Sequence, residues 1–148
     1  MRKLFIYYSF TGNGKIVSDA LKNMGYEIRE VKAQRNLPNN FFLRMMIGGM
    51  LSLFNHKAKL LNYNNDISDY DEIVIGSPIW NGRLSCPINT VLKKTNLENK
   101  KVKFILYSGG GEAIKATSKL KTKYNCEVIS IKEPKKNKDL VEALNLDK

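Results

Sequence analysis

The segment Ser9-Phe10-Thr11-Gly12-Asn13-Gly14-Lys15 is small, polar and rich in glycine, and it joins the apolar run "LFIYY" to a stretch with helical spacing. At a strand-to-helix junction the first N–H groups of the helix lack partners, and the helix dipole reinforces them, so the segment suits an anion. Ser9, Thr11 and Asn13 add side-chain donors, and the glycines allow close backbone approach. A triphosphate loop of the GxxxxGK[ST] kind needs glycine at 9 and a hydroxyl at 16, where Ser9 and Ile16 stand. A dinucleotide loop needs glycine at 17, which is Val17. A terminal monophosphate fits better. The competing reading is an ordinary turn capped by Asn13.

Two further segments share this placement at strand ends. "GSPIWNGR", residues 76–83, follows the buried run "EIVI". Pro78 stiffens it, and Asn81-Gly82 is a turn signal that calls for positive φ. Trp80, the only tryptophan, is expected on a loop here, placed either to pack or to stack on a planar ring. "YSGGGE", residues 107–112, exposes successive bare backbone N–H groups after another apolar run. It reads as a flexible turn or as a surface for a flat ligand with a polar edge.

The elements that must position these loops follow from periodicity. Strands are expected at 3–9, 72–77, 101–108 and 126–132, and a half-buried one at 26–32. Helices are expected at 14–25, 41–54, 85–95, 112–124 and 137–146. Ile16, Val17, Ala20, Leu21 and Met24 share one face of the first helix. Leu140, Val141 and Leu144 supply the apolar positions of the last. Such alternation implies an α/β fold, doubly wound as a three-layer sandwich around a five-stranded parallel sheet. The 148 residues favour a single domain, 1–148, large enough to bury a core without disulfides. Ligands of such sheets bind beyond the carboxyl ends of the strands, where these three loops lie.

The whole chain resembles the flavodoxins, on the strength of "YYSFTGNGK", "YDEIVIGSPIWNGR" and "FILYSGGGEA" in the right order at the right strand ends. The resemblance implies strand order 2-1-3-4-5 and flavin mononucleotide (FMN) as cofactor. It implies that Ser9, Thr11 and Asn13 hold the phosphate, with Gly12, Gly14 and Lys15 donating backbone N–H. Trp80 would stack on the flavin ring, with Pro78, Ile79, Asn81 and Gly82 along its edge, Ser108, Gly109, Gly110 and Gly111 on its pyrimidine side, and Ser77 also among the cofactor-binding residues. Gly82, or the Asn81–Gly82 peptide, would be the one that turns over to accept a hydrogen bond from the reduced ring. Gly14 departs from the hydroxyl that the family often carries there, and Lys15 is expected to compensate in part. Tyr107 is expected within its strand, which leaves one ring face open.

The implied function is electron transfer between redox proteins, in which the flavin carries the electrons and no side chain acts as acid or base. The alternative is an oxidoreductase that takes NAD(P)H and reduces a quinone or another small acceptor. Lys and Arg outnumber Asp and Glu by 25 to 14, a net charge of +11, which departs from the acidic character usual in flavodoxins and favours an anionic partner. Lys115, Lys119 and Lys123 fall on one helical stripe that could dock an acidic redox protein. Nucleic acid is not expected, since no aromatic–basic interleaving is present. Cys86, Cys126 and His56 form no metal-ligand spacing, so both thiols are expected to be free. The apolar segment 41–54 is too short to span a membrane and carries Arg44, and a cytoplasmic location follows as the default.

Overall fold

The computed structural model describes residues 1–34, 40, 43, 46, 58–111 and 113–146. The expected helix 41–54, with the adjoining His56, lies largely outside them. The described strands are β1 (Lys3–Tyr7), β2 (Glu27–Glu30), β3 (Glu72–Trp80), β4 (Arg83–Leu84), β5 (Lys101–Ser108) and β6 (Glu127–Lys132). The helices are α1 (Asn13–Asn23), α2 (Cys86–Lys94), α3 (Ile114–Tyr124) and α4 (Lys138–Glu142).

Five strands pair in parallel in the order β2-β1-β3-β5-β6. This is the expected 2-1-3-4-5 order, with one addition. β3 runs to Trp80 and folds back on the two-residue β4, which pairs antiparallel through Ile79–Leu84 and Trp80–Arg83. The segment 78–84 is therefore a hairpin rather than the expected loop. Asn81 (φ 49°) and Gly82 (φ 70°) form its turn, and positive φ at both central residues matches the right-handed twist of the flanking strands.

Alternate residues of each central strand enter opposite cores, as the period of two requires. Leu4 and Ile6, Ile73 and Ile75, and Phe104 and Leu106 face α2 and α3, meeting Ile88, Val91, Ala116 and Leu120. Phe5 and Tyr7, Val74, and Ile105 and Tyr107 face α1 and α4, meeting Val17, Leu21, Val141 and Leu146. The three layers are those read from the sequence. Two residues expected to face inward do not. Met24 caps α1 and is 37% exposed, because Gly25 (φ 85°) turns the chain away there. Leu140 is 48% exposed because α4 has only five residues and Val141 takes its single inward position.

The end of the sheet away from the loops is tied by polar contacts. Arg2 bonds Glu27 and Asp69, and the Tyr70 hydroxyl donates to Glu27. The Arg2 hydrogen bond, helped by Tyr70, holds the Glu27 carboxyl below its ordinary pKa. Buried Glu72 accepts a bond from the Tyr26 hydroxyl and pairs with Lys101. Cys86 is buried and Cys126 half-buried, and neither is in a disulfide. Among the described residues, no helix is long and apolar enough to cross a membrane.

Candidate functional site

β1, β3 and β5 are parallel neighbours, so the segments that leave their carboxyl ends gather along one edge of the sheet. The first is 8–12. Gly12 sits at the N-cap of α1 with φ 91°, and no side chain caps the helix, so Asn13 does not act as a cap. Asn13 instead braces the segment. Its Nδ2 donates to Thr11 Oγ1 at 3.3 Å, and its Oδ1 accepts the backbone N–H of Lys135 at 3.0 Å. The hydroxyl oxygen of Ser9 is shielded from solvent and has no hydrogen-bond partner. A buried polar atom without a partner costs about 1–3 kcal/mol, so it marks a place where a ligand oxygen is due.

The positive charge at this segment differs from the one expected. Lys15 Nζ pairs with Asp19 at 3.0 Å one turn along α1, a bond that raises the Lys15 pKa and holds its charge on the outer helix face. Lys135, from the turn between β6 and α4, takes its place. Its Nζ donates to the carbonyl of Thr11 at 3.1 Å, and its side chain passes 3.4 Å from where a Cβ on Gly12 would stand. The sequence reading missed Lys135. The only available signal was the basic run "PKKNK" at the end of the last strand.

Gly14 has a steric reason to lack a side chain. A Cβ there would lie 2.6 Å from the Tyr107 hydroxyl oxygen and 2.9 Å from the ring of Tyr7. Tyr107 is within β5 and buried, as expected, and its hydroxyl donates to the carbonyl of Tyr8. Burial pushes its phenol pKa well above the ordinary value, so it stays a neutral donor. Gly14→Ser should therefore destabilise the protein by about 1–3 kcal/mol through overpacking and leave phosphate affinity no better. Urea unfolding and ligand titration of that variant check both points; a variant as stable as the parent with tighter binding would show that the site has room for the hydroxyl.

At the second segment, Ser77 is fully buried and engaged. Its hydroxyl oxygen donates to the Pro78 carbonyl at 2.8 Å and accepts the backbone N–H of Ser85 at 3.1 Å. It locks the base of the hairpin, so the hydroxyl expected at the cofactor is held inside the protein. Pro78 is buried and Ile79 half-buried, packed against the α2 and α3 side of the core. Trp80 is the last residue of β3 and 7% exposed. Phe10 meets it edge-on at 4.9 Å and Tyr8 at 6.3 Å. So placed, the indole joins the hairpin to the first loop. Asn81 and Gly82 are exposed at the tip. Turning over their shared peptide would require the first turn position to be glycine, and that residue is Asn81, so the expected peptide flip is disfavoured.

At the third segment, Gly109 and Gly110 have open space beside them, and Ser108 Oγ accepts the N–H of Gly111 (φ 84°) at 3.0 Å. A flat group can approach this backbone unhindered. The first segment is glycine-rich at a helix N-terminus, and the hairpin and the bare backbone of 108–111 lie at the other two strand ends, all on the carboxyl edge of a doubly wound sheet. That architecture is the α/β class in which ligands bind beyond the carboxyl ends of the strands.

Comparison with known proteins agrees. The flavodoxin family model matches residues 53–144, and the chain belongs to that family. The match takes in the hairpin and the glycine loop, while the first loop stands on its geometry. A flavoprotein from Lactobacillus acidophilus, solved in complex with FMN, is similar in fold with a TM-score of 0.66, 23% identity, and 93% of this chain and 97% of that chain covered. A candidate flavoprotein from Bacteroides eggerthii gives 0.68 at 22% identity, with 97% and 99% covered. No curated protein matches the sequence.

Proposed function

We propose that this chain binds FMN and carries electrons between redox proteins. The observation that carries the reading is the cradle at 9–14, where the unpartnered Ser9 hydroxyl, the uncapped N-terminus of α1 and Lys135 converge. A phosphate would find donors from Ser9, Thr11, Asn13 and the backbone of Gly12, Gly14 and Lys15, with Lys135 as counter-charge. The ring would lie between the hairpin of Trp80, Asn81 and Gly82 and the backbone of 108–111, with Phe10 beside it. When bound, FMN supplies the one- and two-electron chemistry. The protein's own residues hold it, orient it and limit water at its ring. A cytoplasmic location belongs to this proposal.

The visible spectrum of the purified protein, followed by mixing with NADH or NADPH, tests the reading. Uptake of FMN, with reduction only when a separate reductase is added, is the expected result. Rapid bleaching by the nicotinamide alone would replace the carrier with an oxidoreductase acting on a quinone or another small acceptor. Failure to take up FMN would overturn both.

A further inference from the structure

A second concave surface lies between α2 and α3, below the hairpin, with a volume of about 640 Å³. Its floor is apolar: Leu84, Leu92, Ala116, Leu120 and Tyr124 line it. Its rim is basic on both walls. Lys115, Lys119 and Lys123 stand along α3, and Arg83 and Lys93 face them from the hairpin and α2. Among the described residues no acidic side chain lines it, and none of these five cations makes an ion pair. Asn89 also lines the groove, and its amide nitrogen is shielded from water with no acceptor.

From these features we infer that this groove docks an acidic amphipathic segment of the protein's redox partner. The inference rests on the electron-carrier reading and deepens it. Charge complementarity argues for the occupant's sign. The spread of the cations argues for its size, since Lys115 to Lys123 spans roughly 12 Å along the helix. A small anion needs donors that converge on one point, whereas two basic walls over an apolar floor match the carboxylates and apolar face of a helix laid in a groove. An occupant's carbonyl would also satisfy the Asn89 amide. The Asn81–Gly82 turn forms one end of the groove, so a partner seated there adjoins the end of the site assigned to the ring.

The test is a 15N–1H titration of the full chain, with and without FMN, using three probes. These are a synthetic amphipathic peptide with leucines on one face flanked by glutamates, its glutamine counterpart, and citrate. The glutamate peptide should shift amides of residues 81–84, 89–93 and 115–124, and bind at least about tenfold more weakly as salt shortens the range of charge interactions. The combined Lys115→Glu, Lys119→Glu and Lys123→Glu variant should lose at least about tenfold in peptide affinity with FMN affinity unchanged. Lys93→Glu provides a single-site version on the opposite wall. Equal binding of the glutamine peptide, shifts elsewhere on the surface, or full displacement by citrate would overturn the inference. Peptide binding in a protein that fails to take up FMN would remove the carrier reading and leave the groove standing, so the two failures are distinguishable.

Discussion

Replacing Trp80 with alanine is expected to lower the unfolding free energy by about 3–5 kcal/mol, the range for deleting a large buried aromatic side chain. The same change is expected to weaken FMN binding by tenfold or more. The indole is 7% exposed and holds Phe10 edge-on at 4.9 Å. Edge-to-face pairs contribute about 0.5–1.5 kcal/mol beyond the area they bury. Without the indole, Phe10 loses that support, and Ser9 and Thr11 on either side of it lose their fixed position. One substitution on the hairpin should therefore reach the phosphate cradle on another strand. Urea unfolding of the apoprotein and fluorescence titration with FMN measure the two effects. Trp80→Phe keeps a ring at the position and should recover most of the affinity. A Trp80→Ala protein that is destabilised yet binds FMN normally would show that the hairpin and the cradle act independently.

Lys135→Met should raise the dissociation constant for FMN by about tenfold while leaving that for riboflavin unchanged. A charge-assisted hydrogen bond contributes about 1.5–3 kcal/mol, and solvent screening places an exposed lysine at the low end of that range. A factor of ten corresponds to about 1.4 kcal/mol. Riboflavin lacks the phosphate, so it separates the charge effect from general loosening of the turn. Lys15→Met is the matched control and should change FMN affinity less than about twofold, because its ammonium is held by Asp19 at 3.0 Å. Equal losses of FMN and riboflavin in Lys135→Met would reduce Lys135 to a brace for the loop. A large loss in Lys15→Met would return the phosphate charge to the residue that the sequence suggested.

Both substitutions act on features of different legibility. The α/β class and the three layers were readable because each rests on local signals, while the strand order came with the family resemblance. Short apolar runs of β-branched and aromatic residues mark "KLFIYYS" and "KVKFILYS", and apolar spacing of three and four marks the helices. The Asn81–Gly82 turn was readable for a similar reason, since positive φ is the property of those two residues themselves. Family resemblance then placed three loops at one edge, and the parallel sheet brings their strands there.

What the sequence by itself determined, then, is the sheet, the direction of its strands and the composition of the segments at their carboxyl ends. Only the tertiary structure decided which groups those segments present. Lys135 meets Asn13 across 122 residues of chain, and that meeting depends on α4 packing beside α1. The reason Gly14 has no hydroxyl is Tyr107, brought against it from two strands away. Trp80 is turned toward Phe10 rather than outward because β3 continues past its expected end and pairs with β4. Backbone preference and burial periodicity act within a few residues, so they can be read along the chain. The partner of a lysine, the space beside a glycine and the free face of an indole are set by elements that meet only when the core closes.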